Sequence, residues 1–303
     1  MEIIDKNIDG KFYANMVLKK IYPLSQDFLY KFKRRPSLAV IIVGDNPASK
    51  IYVKNKIRVA EENNIKSIEI TLPTQTSEEE LLKRIDILNH EVEVDGILVQ
   101  LPLPKHISEQ KVINNISPEK DVDGFHPINF GKLYMGKPNF IPCTPLGCLY
   151  MIKNEIKNLN GKNVVIIGRS NIVGKPMASL LLSSNCTVTV THSKTENLRE
   201  YCKKADILIA AVGSPEMIDD TYLNKNVVVI DVGINRVENT KEKGKPKLIG
   251  DVNYNKVYNL VNKITPVPGG VGPMTIACLM HNTIKAAYQN QKHSFIDLLK
   301  ENK

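Results

Sequence analysis

No apolar run in this 303-residue sequence approaches the roughly 18–20 residues that a membrane span requires. The opening residues, MEIIDKNIDGKF, hold acids where a signal peptide carries a basic flank and an apolar stretch, so a cytoplasmic location is expected. The five cysteines, Cys143, Cys148, Cys186, Cys202 and Cys278, are odd in number and form no C-x-x-C pair. That argues against a disulfide framework and against a thiolate zinc site, and leaves small buried thiols as the expectation. The six histidines show no ligand spacing either, so no metal is expected. A net charge of +9 is spread along the chain rather than banded, and no aromatic-plus-basic platform accompanies it. Nucleic acid is therefore not an expected partner, and the excess charge reads as mild attraction for a small anion. The densest cluster, Lys31 to Arg35 (KFKRR), reads as the cationic last turn of a helix.

What is present is an ordinary soluble composition, 42% hydrophobic and 24% charged, on a chain long enough for two cores. The first half alternates periods. Helical patterns cover Asn15 to Lys33, Ser49 to Asn63 and Ser77 to Leu88, the last with Thr76 as N-cap and Glu78, Glu79 and Glu80 in its first turn. Strand patterns cover Ser37 to Val43, Ser67 to Leu72 and Gly96 to Gln100. This β-α-β-α-β order implies a parallel sheet with helices on its faces. Residues 102–145 are rich in Pro, Gly and Asp and read as a linker. The second half reads as a doubly wound unit. Its strands are Asn163 to Ile167, Thr187 to Thr191, Asp206 to Ala211 and Val227 to Val232. Its helices are Leu146 to Asn158, Pro176 to Leu182 and Met274 to about Tyr288.

Five segments carry chemistry. GRSNIVGKP (Gly168 to Pro176) follows the apolar run NVVII and opens a helix, the arrangement by which backbone N–H groups face a phosphate. Gly168 leaves the strand, Gly174 permits close approach, and Pro176 suits a first helical turn. An NAD site would place an acid at the end of the next strand, but Thr191-His192-Ser193-Lys194 has none, and Arg169 lies in the turn. NADP is expected. Tyr52 and Lys56, four apart, share a helix face. In isolation such a pair is most simply a surface Tyr and Lys, but a desolvated Lys would be a proton-transfer group. VQLPLP (Val99 to Pro104) puts Gln100 at the C-terminal end of a strand, either a turn amide or a group that orients Lys56. KDVDGF (Lys120 to Phe125) is either an Asp-Gly turn or a carboxylate for the paired N–H donors of a planar heterocycle. VPGGVGPMT (Val267 to Thr275) packs so much special backbone into one loop that ligand contact is expected there.

Taken in this order, YVKNK, VQLPLP, KDVDGF, PCTPLG, GRSNIVGKP, HSKT and PGGVGPMT resemble the bifunctional methylenetetrahydrofolate dehydrogenase/methenyltetrahydrofolate cyclohydrolase family, from about Ile3 to Tyr288. The resemblance implies an α/β fold of two domains with a cleft between them. One is a folate-binding catalytic domain, a three-layer α/β unit (1–141 plus a C-terminal helix, 277–303). The other is a Rossmann-type NADP-binding domain with a mostly parallel sheet (142–276). It implies Lys56 as the central catalytic group, Tyr52 stacked on the folate, Gln100 orienting Lys56, and Asp123 anchoring the pterin. Val53, Lys54, Asn55, Val99 and Leu101 would complete that side of the folate site. Pro268, Gly269, Gly270, Val271, Gly272, Pro273, Met274, Thr275 and Ile276 would line it next to the cofactor. Gly168, Arg169, Ser170, Ile172, Val173 and Gly174 would meet NADP, with Arg169 and Ser193 at the 2′-phosphate and Ile234 on the nicotinamide side. The implied activity is oxidation of 5,10-methylenetetrahydrofolate followed by hydrolysis of the methenyl product, in a homodimer. Alternatives are a chain with one of the two activities, a shikimate-type NADP dehydrogenase, and a non-catalytic nucleotide sensor.

Overall fold

The structure, a computed structural model, describes residues 5–237, 247–297 and 299. The ends of the expected domain extents, 1–4 and 300–303, and residues 238–246 lie outside the described residues. Helix α1 (Gly10–Phe32) starts ahead of the expected Asn15 because Asp9 caps it. Its Oδ1 accepts from the N–H of Lys11 (2.9 Å) and of Phe12 (3.2 Å). Every residue of β1 (Ser37–Val43) is buried, as in a strand covered on both faces. Helix α2 (Pro47–Glu62) begins at a Pro in the first position behind Asn46, whose side chain accepts from the N–H of Ala48 and Ser49. Strand β2 (Lys66–Leu72), helix α3 (Glu78–His90) and strand β3 (Gly96–Val99) complete a parallel sheet of order β2-β1-β3. Ser77, not Thr76, caps α3, its Oγ accepting from the N–H of Glu80 at 3.1 Å. Thr76 stands one residue too early, and its hydroxyl is buried.

The stretch expected as a linker holds helices α4 (Glu109–Asn115) and α5 (Pro127–Tyr134) and the start of α6 (Cys143–Glu155). Caps at Ser108 and His126 define the two short helices. Each buries so few side chains, Val112 in one and Asn129 and Leu133 in the other, that no apolar period emerges. Strand β4 (Asn163–Ile167), helix α7 (Gly174–Leu182), strand β5 (Thr187–Thr191), helix α8 (Leu198–Lys203), strand β6 (Ile207–Ala210) and strand β7 (Val228–Asp231) follow. Then come an antiparallel hairpin of β8 (Asn235–Val237) and β9 (Lys247–Ile249), helix α9 (Tyr254–Val257), strand β10 (Lys263–Ile264) and helix α10 (Val271–Asn290). The sheet order is β10-β7-β6-β4-β5, all parallel.

Two compact units result. One joins Asn15–Cys143 to the chain from Ile276 onward; the other joins the described residues up to Ala14 to Thr144–Thr275. The N-terminal segment belongs to the second unit because its backbone pairs with β10. Ile8 N–H donates to Ile264 O (2.8 Å), and Ile264 N–H to Lys6 O (2.9 Å). Each unit has its own apolar core, around Ile41, Ile85 and Ile97 in the first and Leu208, Val229 and Ile264 in the second. The KFKRR cluster supplies the cationic last turn of α1 through exposed Lys31, and its arginine Arg34 has a further, inward use. Helix α1 stops at Phe32, Lys33 takes φ +57°, and Arg34 turns inward onto Asp95.

Candidate active site

Helix α2 sets Lys56 one turn beyond Tyr52, and the two meet: Lys56 Nζ lies 4.8 Å from the centre of the Tyr52 ring. Lys56 is 4% exposed, whereas Lys54 and Asn55 beside it are exposed and Val53 is in the core. Strand β3 ends at Val99 and delivers Gln100, whose Oε1 accepts from Lys56 Nζ at 3.0 Å. Gln100 Nε2 donates to Leu101 O at 2.7 Å, which fixes which end of the amide faces the lysine. Burial lowers the Lys56 pKa, because a charged ammonium loses its hydration there; the negative charge of Asp123 and, less, Cys143 pull the other way.

Asp123 sits in a turn built by its neighbours. Asp121, 2% exposed, accepts from the N–H of Phe125 (3.2 Å) and His126 (2.8 Å) and from Asn129 Nδ2 (2.8 Å). Gly124 holds φ +75°, and a Cβ there would fall 2.7 Å from Pro142 N. From α10, Asn282 Nδ2 donates to Val122 O (2.8 Å) and Ile141 O (3.0 Å). Burial raises the Asp123 pKa, against the lowering effect of Lys56. Cys143, buried at the start of α6, donates to Val122 O at 3.3 Å and has its thiol pKa pushed up by burial. Lys56, Tyr52, Gln100 and Asp123 thus fall within one unit. Asp121, Asn282 and Cys143, which hold the Asp123 turn, had no role in the sequence reading. Asn282 is 160 positions from the carbonyl it binds, so only the fold brings it there.

The other unit carries the GRSNIVGKP turn between β4 and α7. Gly168 has φ +119°, and a Cβ would lie 2.2 Å from Ala211 O; a Cβ at Gly174 would lie 2.2 Å from Gly168 O. Two glycines are therefore required for the turn to close this tightly. Val173, at the N-cap of α7, makes no side-chain cap bond, and Arg169, Ser170 and Ile172 are exposed. Ser170 Oγ accepts from the N–H of Val173 (3.1 Å) and Gly174 (3.4 Å), so this hydroxyl braces the turn. Ser193, beyond the end of β5, is exposed, as is Ile234 just before β8. A tight strand-to-helix turn braced by a neutral hydroxyl, with an exposed cation at Arg169, fits the pyrophosphate and 2′-phosphate of a dinucleotide.

The Val267–Thr275 loop opens α10. Its glycines have structural uses: a Cβ on Gly270 would lie 2.6 Å from Pro266 O, and a Cβ on Gly10 would overlap Gly270 O. Pro268 is exposed, Gly269, Gly272, Pro273 and Thr275 are half-buried, and Gly270, Val271, Met274 and Ile276 are buried. Thr144 and Thr275 share a hydroxyl hydrogen bond of 2.9 Å. Among the described residues, no group of three or more His, Cys, Asp or Glu side chains is placed to hold a metal, and no helix is long and apolar enough to cross a membrane.

A parallel dinucleotide-type sheet in one unit and, in the other, a desolvated helix lysine bonded to an amide at a strand end define a two-domain α/β enzyme. Family models agree in detail. The tetrahydrofolate dehydrogenase/cyclohydrolase catalytic domain matches residues 8–123, and the NAD(P)-binding domain of the same family matches 142–291. The bifunctional protein FolD of Acetivibrio thermocellus is 53% identical over 282 residues, covering 93% of this chain and 96% of the relative. The crystal structure of the bifunctional FolD enzyme from Campylobacter jejuni superposes with a TM-score of 0.88 at 46% identity, covering 93% of this chain and 98% of that one. FolD of Trypanosoma brucei, complexed with NADP and an inhibitor, superposes with a TM-score of 0.90 at 33% identity, covering 94% and 98%. This chain belongs to the tetrahydrofolate dehydrogenase/cyclohydrolase family.

Proposed function

We propose that this enzyme oxidises 5,10-methylenetetrahydrofolate to 5,10-methenyltetrahydrofolate with NADP and then hydrolyses that cation to 10-formyltetrahydrofolate. The observation that carries the reading is Lys56: a lysine 4% exposed, hydrogen-bonded to an oriented amide, its pKa lowered by burial. Gly168, Arg169, Ser170, Ile172, Val173 and Gly174 would hold the cofactor, with Arg169 and Ser193 on the 2′-phosphate and Ile234 on the nicotinamide side. Bound NADP would supply the hydride acceptor for the one-carbon bridge between two amine nitrogens, a step that chiefly needs near-attack geometry.

Hydrolysis draws on this chain's own groups. Water adds to the methenyl carbon, the bond to N5 breaks, and one proton is released. Lys56 in its neutral form can take the proton from the attacking water and return it to the departing nitrogen. Gln100 points its Oε1 at Lys56 and so fixes where the amine stands. Tyr52 would lie against the pterin while contacting the lysine through its ring face. Asp123, with a raised pKa, would accept or share the paired N–H donors of the pterin edge. The Val267–Thr275 loop, through Pro268 to Ile276, would line the folate next to the cofactor.

The unit containing Lys56 is the folate-binding part in this reading, and the unit containing the glycine turn is the nucleotide-binding part. NADP is preferred to NAD because Thr191 to Lys194 offers no carboxylate for a ribose diol. The setting is cytoplasmic one-carbon metabolism, with the formyl product serving purine biosynthesis. The enzyme acts as a homodimer assembled through the nucleotide unit, whose edge strand β5 exposes Val190. Lys56→Met should abolish hydrolysis of the methenyl compound, followed by loss of its absorbance. Hydrolysis at near wild-type rate in that variant would exclude Lys56 as the acid/base. An assay of NADP and NAD in parallel with the methylene substrate tests the first step.

A further inference from the structure

Two carboxylates in the nucleotide unit are buried where no substrate chemistry needs them. Asp231 ends β7 at 3% exposed, and Asp251 lies just beyond β9 at 0%. Asp251 is almost wholly occupied in holding backbone. Its Oδ2 accepts from the N–H of Val212 (2.7 Å) and Gly213 (3.0 Å), and its Oδ1 from Ser214 N–H (2.9 Å) and Asn235 Nδ2 (2.9 Å). Asp231 in turn accepts from the N–H of Asp251 and Gly233 (3.0 Å each) and of Val252 (2.9 Å). The fit leaves no spare volume: a Cβ on Gly233 would lie 2.3 Å from Asp251 Oδ1, and one on Gly250 would overlap Asp231 Oδ2.

The geometry has a direction. Three consecutive N–H groups converging at a strand end form a concavity that attracts an anion. Here the concavity at Val212–Ser214, directly beyond β6, is filled from inside by the protein's own carboxylate. The turn after β4 is braced instead by a neutral hydroxyl, Ser170 Oγ, and not by a carboxylate. Open α/β sheets bind ligands beyond the carboxyl ends of their strands, and the loops after β6 and β7 lie at those ends. Asp251 ties these two loops together, one through Val212–Ser214 and the other through Asn235, the neighbour of Ile234. We propose that Asp251 is a positioning residue for the dinucleotide: it fixes the loops after β6 and β7 in the arrangement that receives the cofactor and acts through them. The inference rests on the reading of this unit as the NADP site.

The test compares full-length wild type, Asp251→Asn and Asn235→Ala by titration with NADPH, followed by its fluorescence. Hydrolysis of the methenyl compound is measured without nucleotide on the same preparations. An asparagine keeps the shape of Asp251 but can satisfy only one of the two donor pairs, with its amide group facing the other. Asp251→Asn should raise the NADPH Kd about tenfold or more, the scale of losing charge-assisted hydrogen bonds. Asn235→Ala should raise it by less. Both should keep one site per chain and near wild-type hydrolysis. Partial unfolding would instead lower the stoichiometry and leave the Kd of the folded fraction unchanged. Folded Asp251→Asn with a Kd within about twofold of wild type overturns the inference. If that variant does not fold, an unchanged Kd for Asn235→Ala overturns it. Wild type that binds no NADPH removes the underlying assignment of the unit instead.

Discussion

Lys56 Nζ donates to Gln100 Oε1 at 3.0 Å, and the amide cannot turn over without losing the bond from Gln100 Nε2 to Leu101 O at 2.7 Å. A neutral acceptor at this point orients the amine without adding charge that would hold its proton. Gln100→Glu replaces that neutral oxygen with a carboxylate at the same place. Burial holds the Lys56 pKa down, and an adjacent anion would push it back up. The variant should hydrolyse the methenyl compound about a hundredfold more slowly near neutral pH, the scale of a lost general base. The acid limb of its pH–rate profile, where activity rises as Lys56 loses its proton, should move to higher pH, since a raised pKa keeps the ammonium form longer. An unshifted profile at wild-type rate would mean that Lys56 ionisation does not limit the step.

The parts of this site that were legible in the sequence are those written in local spacing. Tyr52 and Lys56 are one helical turn apart, and the strand–turn–helix around Gly168 and Gly174 states its own tightness in glycines that a Cβ would block. Gln100 was legible because an apolar run ends just before it. What closes these elements was not legible. Asn282 reaches Val122 O across 160 positions, and Asp251 reaches Gly213 across 38. No short-range pattern encodes either contact. Helices α4 and α5 bury too little apolar surface to impose a period, and Asp9 caps α1 from outside the residues whose periodicity suggested that helix. The glycines of Val267–Thr275 carry a packing role that the sequence does not separate from ligand contact, since Gly270 lies tight against Gly10 and Pro266.

Asp231 gives a pH dependence of stability with a definite sign. Burial raises its pKa from 3.8 to about 7, in spite of the N–H groups of Val252, Asp251 and Gly233 that favour the anion. The native state therefore holds a proton that the unfolded chain has released. Its contribution is complete below the unfolded value near 4 and is lost as pH rises through about 7. Between pH 5.5 and 8.5 the loss amounts to roughly 2 kcal/mol. Asp231→Asn removes this titration. Wild type should lose thermal stability relative to the variant as pH rises over that interval, measured as the difference in Tm at each pH. A difference that stays flat would place the Asp231 pKa outside the window.

The ion pair of Arg34 and Asp95 should be far more costly to break than the surface pairs around it. Arg34 meets the carboxylate in a two-pronged contact of 2.7 and 2.8 Å, and the Asp95 side chain is 0% exposed. The same carboxylate accepts from Ser37 N–H at 2.9 Å, at the first residue of β1, so it joins the end of α1 to the central strand of its sheet. The guanidinium also lies 5.1 Å from the Phe28 ring. Arg34→Ala leaves a buried carboxylate without its cation and should destabilise the unit that contains Lys56 by about 3–5 kcal/mol. Arg58→Ala, which breaks an exposed pair with Glu62, should cost about 0–1 kcal/mol. Adding Asp95→Asn to Arg34→Ala should recover part of the loss, because the unpaired charge is then gone. Urea denaturation of the three variants and the wild type measures all of these differences. If Arg34→Ala costs no more than Arg58→Ala, the pair is not the buried tie between α1 and β1 that its geometry describes.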